Sequence, residues 1–377
     1  MPRAHRSPET GFLGEPFKVS PFEALPGSAR RIPEWLHHAL CVCIFLAAFL
    51  LATALLRDLV RPADRSLVSA KLQEIEADPE GYDVLFLGNS HVYRGVDARA
   101  FDARMAELGH PVRSYNLGGQ AMMFPELDFT VRALLERPPS RLSWLFLDLS
   151  FGWVIDQRNF GSGRVIWWHD LRALWLACRL VLDSGRPWTE RLEFLTHHLA
   201  DYASRLTNQG RGLDYVRWRL SGRGGSADEL IGHDRGFQEL AIGLADAADQ
   251  RTRRFSAFLA RYTKWVLDLS KKPTEFVPLL GEPAHRMREL LTRLEEHGIR
   301  PVLYMPPYLK NQVPQLASTA SGRTETVFLF NQPACYPQLY QAEQRFDANH
   351  LNGAGARLFS TLLAEEFARS LEQTSSD

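Results

Sequence analysis

The sequence predicts an α/β protein: an open, three-layer parallel sheet with a helical insertion, preceded by one transmembrane helix. Three observations carry this. An uncharged apolar run lies near the N-terminus, short apolar runs alternate with amphipathic segments of about ten residues, and a long stretch of purely helical spacing interrupts that alternation. The 377 residues hold 44 basic and 44 acidic side chains, so no global basic excess points to nucleic acid. A mean hydropathy of -0.22 excludes a polytopic membrane protein but leaves room for one span. The four cysteines, Cys41, Cys43, Cys178 and Cys335, are too few for a disulfide scaffold and lack zinc-site spacing. No cofactor and no metal are expected.

The elements follow in order. Residues 1–34, rich in Pro, Gly and Ser, read as a flexible tail, and residues 35–57 as the membrane span. Ala39 to Leu56 is free of charge over about 18 residues, longer and later than the core of a cleaved signal, which is the competing reading. Cys41 and Cys43 fit this helix as small apolar residues, with palmitoylation as an alternative. Arg30 and Arg31 precede the span and Arg57, Arg61 and Arg65 follow it, so charge alone does not orient it. Residues 58–80 read as a polar stalk. Residues 81–377 then form one elaborated domain, with a helical insertion at about 151–275.

Within that domain, Asp83 to Leu87 is a buried strand ending in Gly88-Asn89-Ser90-His91. A helix from Asp97 to Leu108, a strand near Val112 to Asn116 and the turn Gly118-Gly119 come next. Pro125 to Leu135 and Ser143 to Leu149 make the third helix-strand unit. The insertion is rich in Trp, Arg and Leu; its Ser221 to Ser226 segment follows no strand and lacks the Gly-Lys-Ser/Thr ending of a phosphate loop, so it reads as a linker. A helix at Glu282 to His297, a strand at Pro301 to Met305 and a last helix at Ala354 to Leu371 complete the pattern.

Ligands of open α/β sheets bind beyond the carboxyl ends of the strands, and Ser90 sits at that edge. A serine hydroxyl needs a base to take its proton, and the base needs an acid to hold its tautomer. Asp347 and His350, three residues apart before the last helix, supply both. Gly88-Asn89-Ser90-His91, Asn116-Leu117-Gly118-Gly119 and Asp347-x-x-His350 together resemble the SGNH (GDSL-type) hydrolase superfamily, over about 190 residues (81–150 and 275–370). The resemblance implies an SGNH/flavodoxin-like sheet, Ser90 as nucleophile, Asp347 and His350 completing its triad, and Gly118 or Gly119 donating a backbone N–H to the oxyanion. The family's Gly-x-Asn-Asp turn after strand three is replaced by Asp148-Leu149-Ser150-Phe151-Gly152, which lacks the asparagine donor. Asn89, Ser150 or a group from the insertion would have to stand in. The same departure occurs in membrane-linked members resembling the proteins of alginate acetylation and teichoic-acid D-alanylation.

The expected function is therefore a serine acyltransferase tethered to the membrane and acting on a cell-envelope or secreted polysaccharide through an acyl-serine. A carbohydrate or lipid esterase, and a degenerate SGNH-like scaffold of an envelope assembly, are the competing readings. The expected partners are the membrane, a polysaccharide or acylated substrate and a membrane acyl-donor protein, with no nucleic acid. The domain is expected outside the cytoplasmic (inner) membrane. His91, Trp167, Trp168 and His169 are candidate substrate contacts with Trp153 beside them, although aromatic residues at helical spacing also build cores. Tyr304 to Tyr308 could rim the pocket, and the histidines at 197, 198, 233, 285 and 297 read as solvated surface.

Overall fold

The computed structural model describes residues 33–59, 67–78, 80–208, 235–316 and 327–376. The chain divides into two compact units, Met1–Phe49 and Leu50–Asp377. In the first, helix α1 begins; it runs Glu34–Leu59, and its Glu34–Leu55 portion is long and apolar enough to cross a membrane. Its large side chains are open to the surroundings, Phe45 at 68% and Leu51 at 62%, an arrangement that favours lipid over water around them.

The second unit is built on five strands: β1 (Val84–Leu87), β2 (Ser114–Asn116), β3 (Trp144–Asp148), β5 (Arg300–Met305) and β7 (Val327–Leu329). They pair in parallel in the order β2-β1-β3-β5-β7, a doubly wound sequence of strands. Alternation along β1 sends Leu85 and Leu87 to one face and Val84 and Phe86 to the other. The Leu85 face is covered by α2 (Leu67–Ala77), α5 (Phe124–Glu136), α7 (Leu171–Asp183) and α10 (Gly281–Glu296), through Ile75, Val131, Leu180 and Leu294. Helices α4 (Ala98–Glu107) and α11 (Gly353–Ser376) cover the Phe86 face, where Phe101, Phe146 and Phe367 pack edge to face.

Two expectations are revised here. The segment read as a stalk is α2, and it belongs to the core: Val68 and Ile75 are buried, and the ammonium of Lys71 is buried as well. A helix of mixed composition conceals this, because one long basic side chain reads as solvent-facing until its partners are known. The expected alternation also missed a small parallel sheet, β4 (Glu275–Pro278) with β6 (Gln312–Gln315), and the edge strand β7; β4 and β6 are short and partly polar, and β7 is apolar but only three residues long.

The insertion contains α6 (Gly163–Trp168), α8 (Trp188–Thr207) and the long α9 (Leu240–Ser270) besides α7. It has a core of its own, in which Ile155, Val165, Trp168 and Phe194 meet. The linker expected at Ser221 to Ser226 and most of the expected tail lie outside the described residues.

Candidate active site

The chain moves from β1 to β2 on one side of the sheet and then to β3 on the other, which opens a crevice beyond β1 and β3. Both serines of interest stand at it. Ser90 begins the one-turn helix α3 (Ser90–Tyr93), with Asn89 as its N-cap accepting from the His91 N–H at 2.8 Å. Gly88 makes this turn possible, because a Cβ there would lie 2.5 Å from Asp148 Cβ and from Val92 Cγ2.

The three residues expected to form a triad come together. Ser90 Oγ lies 3.0 Å from His350 Nε2, and His350 Nδ1 lies 2.9 and 3.2 Å from the two Asp347 oxygens. Donation from Nδ1–H to the carboxylate leaves Nε2 free to accept the serine proton. The loop is set by Asp347 itself, whose Oδ1 also accepts from the backbone N–H of Asn349 (2.8 Å) and of His350 (2.9 Å). Sequence reasoning missed one member: Arg251 of α9 donates to Asp347 Oδ2. Nothing in a helix 96 residues upstream announces that pairing. Burial alone would raise the Asp347 carboxyl, but the hydrogen bond and charge of His350, the Asn349 N–H and Arg251 hold it well below the usual carboxylate range.

The oxyanion side differs from the expectation. The Gly118 N–H donates to Asn116 Oδ1 at 3.0 Å, and the Gly119 N–H donates to the Gly88 carbonyl at 3.0 Å. Both expected donors are thus used inside the protein. Gly118 is needed for space, since a Cβ there would lie 2.6 Å from the Tyr93 nitrogen. Beneath the turn, Lys71 Nζ donates to the carbonyls of Asn116 and Gly118, each at 2.8 Å, and lies 4.2 Å from the centre of the Tyr93 ring. Burial holds this amine well below its ordinary range. Two donors remain near the Ser90 hydroxyl: the Ser90 N–H, which has no partner among the described residues, and the Asn89 amide, which spends one hydrogen on Ser150 Oγ at 3.1 Å and keeps another.

Ser150 occupies the position where the asparagine turn was missed. Its N–H donates to Asp148 Oδ1 at 2.6 Å, and its hydroxyl lies 2.9 Å from His91 Nδ1. His91 is half-buried between Tyr308 and His350, with ring centres 4.7 and 5.6 Å away. Close packing first, and then the nearness of the His350 and Arg345 side chains, push its imidazole down to about 3, so it is neutral at physiological pH. Burial raises the Asp148 carboxyl to about 6, and its Oδ2 has no hydrogen-bond partner among the described residues.

No protein-family model, curated protein or solved structure matches the chain. The reading of the site therefore rests on its geometry.

The aromatic wall expected in the insertion is not at the site. Trp168 is 1% exposed and His169 fully buried, stacked on each other in the insertion core. His169 Nε2 pairs with His198 Nδ1 at 2.8 Å, so His198 is also buried and not solvated. Trp167 is half-buried with Phe129 at its face, and Trp153 packs on Phe124. These residues obey the helical period because they fill a core. Pro306 and Pro307 do line the recess that holds Ser90 and His350, while Tyr304 is buried under the sheet.

Proposed function

We propose that the protein is a membrane-anchored serine acyltransferase that modifies a cell-envelope or secreted polysaccharide through an acyl-serine intermediate. The observation that carries this reading is the relay Ser90 Oγ to His350 Nε2 (3.0 Å) and His350 Nδ1 to Asp347 (2.9 Å), at the crevice of a parallel sheet. In the proposed cycle Ser90 Oγ bonds to the acyl carbonyl carbon as its proton passes to His350 Nε2. Collapse of the tetrahedral adduct breaks the bond to the donor's leaving oxygen, which takes that proton. A sugar hydroxyl then attacks the acyl-serine, with His350 accepting its proton and returning it to Ser90. Asp347 stays ionised throughout and stabilises the imidazolium. The oxyanion would be met by the Ser90 N–H and the second Asn89 amide hydrogen, since the glycine N–H groups are engaged.

The apolar Glu34–Leu55 segment supports tethering, which raises the local concentration of a membrane-held donor or a nascent envelope polymer. On this reading residues 58–377 lie outside the cytoplasm and the N-terminal tail lies inside. A C-terminal alkaline phosphatase fusion should then be active; an inactive phosphatase fusion beside an active C-terminal β-galactosidase fusion would reverse the orientation.

A second reading is favoured by the engaged Gly118 and Gly119 N–H groups: a degenerate domain that binds or scaffolds. A serine-reactive fluorophosphonate separates the two. Labelling of the wild type and not of Ser90→Ala supports the enzyme; no labelling of either supports the scaffold. Incubation with an acyl donor, with and without glycan, then separates transfer from hydrolysis, because an esterase releases free acid at the same rate in both.

A further inference from the structure

The recess over Ser90 and His350 holds about 10 Å³, the room of a single water molecule. A recess of that size cannot select a substrate, so binding energy has to come from surfaces beside it. Two clefts flank it, and the Asp347–His350 loop is the wall that both share. One, of about 530 Å³, is lined by Asn349, Tyr308, Lys310, Trp265, Asp268 and Lys272 among others. The other, of about 300 Å³, is lined by Asp347, Ala348, Arg251, Arg254, Phe255 and Phe258.

One helix runs through both. On α9 the lining residues Arg251, Arg254, Phe255, Phe258, Trp265 and Leu269 recur at three, one, three, seven and four residues, which keeps them on one face over about 27 Å. Between the clefts, Arg261 bridges Phe258 and Trp265, its guanidinium 5.5 and 5.0 Å from their ring centres. From Asp249 to Lys272 the chain carries seven basic residues against two acidic, within a protein that is neutral as a whole. Arg254, Arg261, Lys272 and Lys310 make no ion pair among the described residues, and Trp265 is 42% exposed.

We infer that this face of α9 is a binding groove for an extended anionic polysaccharide strand, laid across the Ser90 recess with sugar units in both clefts. Unpaired cations read the acid groups, and the exposed Trp265 ring and the half-buried Phe258 ring offer faces for the apolar side of a sugar ring. Arg254 and Arg261 are spaced by about 10 Å along the helix and Lys272 stands just past its end, a spacing that fits a chain with one charge per sugar or fewer better than the closely spaced phosphates of a nucleic acid. This inference rests on the reading of Ser90 as an acyl-transfer centre and names the acceptor class that the reading leaves open.

The test is binding, with the full chain in neutral-lipid nanodiscs and polygalacturonate as probe. Wild type and Ser90→Ala should bind alike, with affinity falling as salt rises. Arg254→Glu/Arg261→Glu and Lys272→Glu/Lys310→Glu, all on exposed or half-exposed side chains, should each weaken binding at least tenfold while circular dichroism and melting stay unchanged. Equal affinity of both double variants and wild type overturns the groove, as does equal competition by neutral dextran. Tighter binding of oligo-dT or of phosphatidylglycerol vesicles than of polygalacturonate overturns the polysaccharide assignment. Fluorophosphonate labelling of the same samples keeps the two readings apart: groove-dependent binding without labelling removes the chemistry and leaves the groove, whereas labelling with charge-independent binding does the reverse.

Discussion

The two sides of Ser90 are built to different standards. On the proton side every group has its partner: hydroxyl to imidazole, imidazole to carboxylate, carboxylate to two backbone N–H groups and an arginine. On the oxyanion side the two glycine N–H groups are spent on Asn116 and on Gly88, and Ser150 stands where an asparagine donor was missed. A relay without a complete anion site takes protons well but stabilises the tetrahedral adduct less. On the proposed reading, the difference describes a catalyst that depends on its donor's reactivity, or one whose anion site is completed by a substrate-induced shift in the turn.

The first way to break this comparison is to remove the proton side. On the proposed reading Ser90→Ala or His350→Ala lowers turnover of an activated acetyl ester by on the order of 10⁶, and Asp347→Asn by about 10⁴, the scale of such losses in serine hydrolases. A loss below tenfold for Ser90→Ala in a stopped assay would mean that another group carries the reaction.

Removing the oxyanion side should cost less. Asn89→Ala is expected to reduce kcat about 10² to 10³-fold, about 2.7–4 kcal/mol, with KM little changed. Gly118→Ala separates donor from spacer: with the N–H retained, its damage should appear as about 1–3 kcal/mol of lost stability in urea titration. If Gly118→Ala folds normally and still loses activity, the turn has a catalytic part beyond spacing.

Arg251 tests whether the insertion completes the relay. It is partly exposed, so its contribution is screened, and Arg251→Ala should reduce kcat/KM about tenfold, roughly 1.4 kcal/mol. Arg251→Lys should restore part of that loss, which a purely structural effect on α9 would not show.

The smallest effect on rate concerns Asp148. Its carboxyl is raised to about 6 in the fold against about 3.9 in the unfolded chain, so the folded state holds the proton more tightly. Burial of the ionised form therefore costs stability above pH 6, and that cost fades as the pH falls toward 4. Asp148→Asn should have a higher urea midpoint than wild type at pH 8 and no advantage at pH 4. An advantage equal at both values would assign the effect to packing.

Much of this was legible in the residues, and the remainder for physical reasons was not. The strand at 84–87, the serine after it and the Asp-x-x-His loop combine local signals, namely an apolar run, a glycine turn and a fixed spacing, and each stands where expected. The parallel pairing of the sheet, though not its strand order, followed from the alternation. Long-range pairing without a motif to announce it was invisible: Lys71 reaches carbonyls 45 and 47 residues away, and Arg251 reaches an acid 96 residues away. Trp168 and His169 misled because a helical period of aromatics describes a buried face as well as a binding one. Gly118 and Gly119 misled differently, since a sequence shows that an N–H exists but not what it already holds.

Lys71 has one more consequence. The helix that follows the apolar N-terminal segment is fastened by an amine that must leave water to reach its two carbonyls, and undocking it would strip both of that partner. Where a protease cuts then decides what is shed. A cut before Leu67 leaves the domain with its Asn116–Gly118 turn still braced, whereas a cut after Ala77 frees a domain whose turn has lost its brace, so separation from the apolar helix and loss of the brace become either two events or one.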